Sequence, residues 1–146
     1  MARKFDRMPD LPQTVDDPKV EGLMEHYYSL SNAPNDEEDG HDSFTDMFTE
    51  DAEYSFNDKV SKGHAEISAM RKAMFAHVPQ RDHYPTQIFT HGHDQMQLMA
   101  RGKAKHEHHS GNEKDVEFAA YYQLVDVEGQ LKFKTIHIIA NGPAHE

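Results

Sequence analysis

The sequence contains no cysteine and no tryptophan, and no apolar stretch in it approaches the length that spans a membrane. Without cysteine no disulfide can form, so nothing indicates an oxidising compartment. The residues after Met1 include basic side chains, but no apolar stretch follows them, so they do not match a secretory signal. These absences predict a soluble protein of the cytoplasm.

Positive charge is also scarce. The chain has 15 Lys and Arg against 26 Asp and Glu, a formal net charge of -11. Such a surface repels phosphates, so we expect neither nucleic acid nor an anionic membrane as a partner. No Gly-x-Ser-x-Gly motif and no glycine-rich phosphate loop occurs, which disfavours serine hydrolases and nucleotide-binding enzymes. We expect no cofactor and no bound metal.

The length of 146 residues, of which 36% are apolar, predicts a single domain. Residues 1–14 contain two prolines and no apolar periodicity, and we interpret them as an arm that folding does not require. The domain is expected over residues 15–140. Residues 141–146 are predicted to form a C-terminal tail.

Three helices are predicted in the first half of the chain. Asp17-Pro18 is typical of a helix start, and apolar residues at helical spacing extend the helix over about residues 17–31. Residues 32–40 form an acidic loop that we interpret as a solvated linker. A short second helix follows at residues 44–48, and a third runs from about His64 until proline ends it.

The second half has the period of β-strands. Strands are predicted at residues 52–56, 83–91, 95–108, 116–127 and 131–140. In the last of these, Lys132 and Lys134 are expected to point outward, which turns Phe133, Thr135, His137 and Ile139 inward. The order of elements predicts an α+β domain in which three N-terminal helices lie on a strongly curved, mostly antiparallel sheet.

This order of elements resembles the nuclear transport factor 2-like superfamily, which includes the SnoaL-like proteins, over about residues 17–140. The resemblance implies a cone whose hollow is a ligand pocket. Arg81-Asp82-His83 stands where the similar scytalone dehydratases have an Arg-x-x-His element, and His106 lies near their second catalytic histidine. The resemblance therefore implies that His83 and His106 are an acid–base pair acting on a small-molecule substrate.

The chain departs from scytalone dehydratase at two sites. Ala120 or a neighbour stands where that family has a pocket asparagine. The family's carboxylate that orients one histidine lies at the end of the first helix, where this chain has its acidic insertion, so no residue is assigned to that role. The resemblance implies the fold and the two histidines, but it does not imply the substrate.

Further residues are predicted to line the pocket. Tyr54, and Tyr121 or Tyr122, are suited to hold a substrate carbonyl and stabilise an enolate. The alternative is that these side chains belong to the core, and, since the chain has 12 histidines, that His83 and His106 are structural. The predicted substrate-binding residues are Tyr28, Tyr54, Phe56, Met70, Met74, Phe89, Ala120, Tyr122, Phe133 and His137.

The resemblance, together with His83 and His106, implies a cofactor-free lyase or isomerase, of dehydratase or cyclase type, acting on a small apolar oxygenated compound such as a polyketide or terpenoid intermediate. One alternative is a non-catalytic ligand-binding or dimerisation module of the same fold. Another is a metal-dependent enzyme that uses the histidines at 91–93 and 106–109, since residues i and i+2 of a strand face the same way. We also expect a homodimer formed through the outer face of the sheet, with Tyr121 or Tyr122 near the contact.

Overall fold

One six-stranded sheet and two α-helices account for most of the residues that the computed structural model describes, 7–35 and 39–141. The elements are α1 (Pro18–Ser31), a 3-10 helix (Ser43–Met47), β1 (Phe48–Phe56), β2 (Lys59–Lys62), α2 (Gly63–His77), β3 (Gln80–His91), β4 (Asp94–Glu107), β5 (Glu113–Val127) and β6 (Gln130–Ala140). None of the described helices is long and apolar enough to cross a membrane.

The first helix begins as predicted. Asp17 is its N-cap, with a side chain that accepts a hydrogen bond from the backbone N–H of Lys19, and Pro18 occupies the first turn. The prediction of three α-helices is wrong, because the second is a 3-10 helix of five residues. Asp42 caps its start, and Phe48, whose extended backbone begins β1, ends it before an α-helix can propagate.

The curved sheet has the strand order β2-β1-β6-β5-β4-β3. Its strands pair antiparallel except for β1 and β6, which are parallel. The predicted meander of β3 to β6 is confirmed, with each strand within three residues of its expected bounds. Strand β2 was not predicted, since its four residues have no apolar alternation. The inner face of the sheet and the apolar side of α1 share one hydrophobic core.

A bulge in β3 changes which side chains face inward. Pro85 pairs with Gly102 and Gln87 pairs with Arg101, so Thr86 is an extra residue. Beyond it the alternation is reversed: Ile88 is buried, and Phe89 is 50% exposed on the outer face. The prediction that Phe89 lines the pocket is therefore wrong.

A second bulge has the same effect in β6. Phe133 pairs with Leu124 but Thr135 pairs with Gln123, which leaves Lys134 as the extra residue. Ile136 and Ile138 consequently face the core. His137 and Ile139, which the regular alternation placed inward, lie on the exposed outer face, so both predictions are wrong.

Part of the predicted arm lies against the sheet. Met8 and Leu11 pack on the hydrophobic core, and the Thr14 and Thr90 hydroxyls are 2.6 Å apart. The backbone N–H groups of Asp16 and Asp17 both donate to the side-chain oxygen of Gln95. These contacts make residues 7–14 a part of the fold. Residues 1–6 of the arm, 36–38 of the acidic loop and 142–146 of the tail lie outside the described residues.

Candidate functional site

A small cavity lies between α1 and the inner face of the sheet. Its volume is about 20 Å³, which is room for about one water molecule. Tyr27 and Tyr122, both fully buried, lie at its inner end, and the half-buried Phe56 and Ala140 form its rim. The lining residues are Tyr27, Phe56, Arg81, His83, Ala104, His106, Val116, Phe118, Tyr122, Ile138 and Ala140.

The pairing of β3 with β4 brings three ionisable side chains into this cavity. Arg81 lies directly across from His106, and His83 lies across from Ala104. Because alternate residues of a strand share a face, Arg81 and His83 both point inward. Arg81 is 9% exposed, His83 4% and His106 6%. The two predicted catalytic histidines therefore line the same cavity, while their catalytic role stays a prediction.

Asn32, the C-cap of α1, holds His83 in place. Its amide nitrogen donates to the carbonyl of His83 at 3.0 Å, and its amide oxygen accepts from the backbone N–H of His83 at 2.9 Å. These two bonds identify the Asn32 oxygen, and not its nitrogen, as the amide atom next to the His83 ring. The Asn32 oxygen also contacts Nδ1 of His83, so Nδ1 must carry the proton and donate it. Nε2 is then the unprotonated nitrogen, able to accept a proton.

Both histidines are neutral in the cavity. Burial lowers the pKa of His83 well below its ordinary value, and the Arg81 charge lowers it further. Burial and Arg81 also lower the pKa of His106 to about 4. The neighbouring guanidinium disfavours a second positive charge in the cavity.

Four tyrosines extend the polar part of the site into the core. The hydroxyls of Tyr28 and Tyr122 are 2.7 Å apart, and those of Tyr27 and Tyr54 are 3.4 Å apart. Burial raises the pKa of Tyr27, Tyr28 and Tyr122 well above the ordinary value. These phenols therefore stay protonated, and Tyr27 and Tyr122 present neutral groups to the cavity.

The predicted substrate-binding residues separate into three groups. Phe56 and Tyr122 line the cavity, and Tyr28 and Met74 touch residues that do, through Tyr122 and Arg81. Tyr54, Met70, Ala120 and Phe133 belong to the core or pack on it. Phe89 and His137 lie on the opposite face of the sheet.

The histidine-rich strand ends do not form a metal centre among the described residues, where no group of three or more His, Asp or Glu is placed to hold an ion. His91 and His93 are exposed at the hairpin between β3 and β4. The ring of His109 is hydrogen-bonded to the carbonyl of Ala76 at 2.7 Å, at the end of α2.

Sequence reasoning missed the contributions of Arg81 and Asn32. A signal for Arg81 was present, because it lies two residues before His83 on a strand and must share its face. Asn32 gave no comparable signal. It comes from the end of α1, 51 residues before His83, and only the packing of the helix on the sheet brings the two together.

No protein-family model and no curated protein matches this sequence. Several solved structures match its fold. A proposed aromatic ring hydroxylase from Novosphingobium aromaticivorans is 21% identical, with a TM-score of 0.73 over 86% of this chain and 89% of the other. A proposed scytalone dehydratase from the same organism is 17% identical, with a TM-score of 0.68 over 86% and 83%.

Nuclear transport factor 2 from Cryptosporidium parvum is also similar. It is 11% identical, with a TM-score of 0.69 over 91% of this chain and 99% of the other. Identities this low compare folds and do not transfer an activity. The chain therefore has the nuclear transport factor 2-like fold that its order of elements indicated.

Proposed function

We propose that the chain is a cofactor-free lyase or isomerase of dehydratase or cyclase type that moves a proton on a small oxygenated compound. The observation that carries this proposal is one cavity shared by two neutral histidines and a buried arginine. A neutral imidazole accepts a proton, and a nearby guanidinium stabilises the negative charge that results.

His83 is the base in this mechanism. Its Nε2 takes a proton from the carbon next to a substrate carbonyl, and the C–H electron pair forms an enolate. Arg81 stabilises the enolate oxygen, with a protonated tyrosine hydroxyl as a second donor. Asn32 keeps Nδ1–H engaged, so that Nε2 remains the accepting atom throughout.

The proton then leaves His83 as the enolate collapses. In a dehydration it goes to the departing hydroxyl, which leaves as water while the new double bond forms. In an isomerisation it goes to another carbon of the substrate. In this mechanism His106, opposite Arg81, relays the proton, because the negative enolate offsets the Arg81 charge that otherwise keeps imidazole neutral.

Substrate entry requires the cavity to open, because about 20 Å³ accommodates only a water molecule. The half-buried side chain of Phe56 at the rim is the group that can move with least disruption, whereas Tyr27 and Tyr122 are fixed in the core. Opening and closing of this kind would exclude water during proton transfer.

A non-catalytic binding or dimerisation module is the second candidate. The small volume of the cavity favours it, since side chains fill most of the cone. The exposed apolar residues on the outer face of the sheet also suit an association module.

The exchange of carbon-bound protons for deuterium separates the two candidates. We expect the protein in D₂O to exchange the protons beside the carbonyl of 4-hydroxy-2-butanone faster than the same concentration of imidazole does, measured by NMR. His83→Asn and His106→Asn should each lower this rate by about 10²–10⁴-fold. His137→Asn is the matched control, because its ring lies on the outer face. A wild-type exchange rate no higher than that of imidazole contradicts the proposed catalytic function.

A further inference from the structure

Two arginines are buried among the described residues, and their hydrogen-bonding partners differ greatly. Arg71, 4% exposed, forms an ion pair with Asp42 at 3.0 Å and donates to the carbonyls of Leu30 and Ala33. Arg81, 9% exposed, has no carboxylate within ion-pair distance among the described residues. The described part of the chain therefore gives the Arg71 guanidinium a counter-charge and gives Arg81 none.

The hydrogen bonds of Arg81 are correspondingly poor. Its Nε is buried with no hydrogen-bond partner among the described residues. One terminal nitrogen donates to the sulfur of Met74 at 2.7 Å, which is a weak acceptor. Burying a charged donor without a partner is costly, and a guanidinium does not avoid that cost by losing its proton. An acceptor supplied from outside the chain would remove this penalty.

The neighbours of Arg81 do not supply that acceptor. The carboxylates next to it in sequence and across the strand pair, Asp82 and Glu107, alternate to the other face, where Asp82 pairs with Arg7. Inside the cavity the nearest groups are His83, His106 and the protonated tyrosines. The site is therefore positive and contains no carboxylate from the described residues.

The volume and the lining of the cavity limit the kind of anion that can bind beside Arg81. The free volume beside Arg81 holds about one water molecule, so the cavity must open to admit a carboxylate head group, and the walls formed by Val116, Phe118 and Ile138 are apolar. A carboxylate head at Arg81 would leave the rest of the molecule directed to the rim at Phe56. A guanidinium also matches a carboxylate geometrically, because two parallel N–H groups face two oxygens.

We infer that the cavity binds a small organic carboxylate, with the carboxylate paired to Arg81 between His83 and His106. This inference deepens the proposed function: the substrate is an acid whose carboxylate binds two of the five N–H donors of Arg81, which leaves other donors for the enolate oxygen. Binding is nevertheless measurable without turnover, so a failure of catalysis and a failure of anion binding give different results.

The experiment titrates the protein with sodium acetate and with acetamide, its neutral isostere, at constant ionic strength. NMR signals of the histidine rings report binding. Acetate should shift the His83 and His106 signals saturably and leave His137 unchanged, and acetamide should bind at least about tenfold more weakly, because a charged hydrogen bond is lost. Equal binding of the two compounds, or no saturable shift with acetate, overturns the inference.

The variant Arg81→Met tests whether acetate binds at Arg81. Arg81→Met removes the charge and keeps the length of the side chain, and we expect it to lose acetate binding by about tenfold or more. Arg101→Met, on the exposed face of the next strand, is the matched control that removes the same charge and should bind acetate as the wild type does. Retained binding in folded Arg81→Met overturns the inference, and if that variant does not fold, the comparison of acetate with acetamide on the wild type decides it.

Discussion

At the residue scale, the chemistry of the cavity depends on which neighbour each ionisable group has. The closest partner of His83 is an amide, not a carboxylate, so its Nδ1–H is held without any charge that would stabilise the imidazolium. The positive charge of Arg81 destabilises the imidazolium form of both histidines and lowers their pKa. Burial and the Arg81 charge therefore favour a neutral His83, and Asn32 sets which ring nitrogen carries the proton.

Asn32→Asp tests this directly. A carboxylate at this position keeps the contact with Nδ1–H and adds a negative charge, so the pKa of His83 should rise relative to the wild type. The hydrogen bond to the His83 carbonyl is lost, which costs about 1 kcal/mol of unfolding free energy. The ring signals of His83, followed by NMR against pH, give the result.

Gln130→Glu, in the exposed hairpin between β5 and β6, is the control that adds the same charge at the opposite end of β6 from Ala140 on the cavity rim. It should leave the His83 titration as it is in the wild type. If both variants leave that titration unmoved, Asn32 does not set the protonation of His83.

The sequence was sufficient to predict that His83 and His106 face one cavity, since simple alternation holds from residue 81 to 85 and along β4. It was insufficient for Phe89 and His137. Each lies beyond a bulge, and a single extra residue reverses the alternation for the rest of the strand. Nothing local in the sequence marks Thr86 or Lys134 as that residue.

At the element scale, close packing between β3, β4 and β5 positions the site. Gly102 pairs with Pro85 of β3 and Phe118 of β5, four residues along β4 from His106. A Cβ atom at Gly102 would overlap the backbone oxygen of Tyr84 and the ring of Phe118. The strands can approach this closely only because residue 102 has no side chain.

Gly102→Ala should therefore destabilise the protein by about 1–3 kcal/mol, because backbone and ring must both move. Thermal unfolding measures this as a fall in Tm of about 2–4 °C for each kcal/mol. Gly22→Ala is the matched control: no atom lies within 4 Å of its added Cβ, and alanine favours the helix, so its Tm should rise. A Gly102→Ala variant as stable as the wild type would show that the strands accommodate the methyl group.

At the scale of the whole molecule, the outer face of the sheet carries an apolar stripe. Phe89, Met99, Tyr121 and His137 lie side by side across β3, β4, β5 and β6, and Phe89 and Met99 are 50% and 49% exposed. Apolar groups in such a row are unusual on a chain with a net charge of -11. Of the two tyrosines expected near a dimer contact, Tyr121 lies on this face, whereas the ring of Tyr122 is fully buried.

We propose that this stripe is the contact of a homodimer, in which the same face of two copies meets about a two-fold axis. Light scattering at high micromolar concentration should give twice the mass of the chain. Met99→Glu should give a monomer, because it buries a charge in the contact. Val127→Glu, at the exposed end of β5, is the control and should stay dimeric. A wild-type monomer at these concentrations would rule the contact out.

The cavity also makes the stability of the molecule depend on pH. Both histidines have a depressed pKa in the folded chain, so the unfolded chain takes up protons first as the pH falls. The stability present above about pH 6.5 is therefore lost as the pH falls towards about 4, the folded-state pKa of His106. Tm should be lower at pH 5 than at pH 7, and His106→Asn should reduce that difference.

His83 and His106 form a neutral pair in a small cavity beside Arg81. An NMR titration of the histidine ring signals between pH 4 and pH 8 tests this most directly. We expect the His106 ring to titrate near pH 4 and the His83 ring to remain neutral well below its ordinary range, whereas both titrate at about 6.5 in the urea-unfolded chain. Titration of either ring near 6.5 in the folded protein would contradict the account.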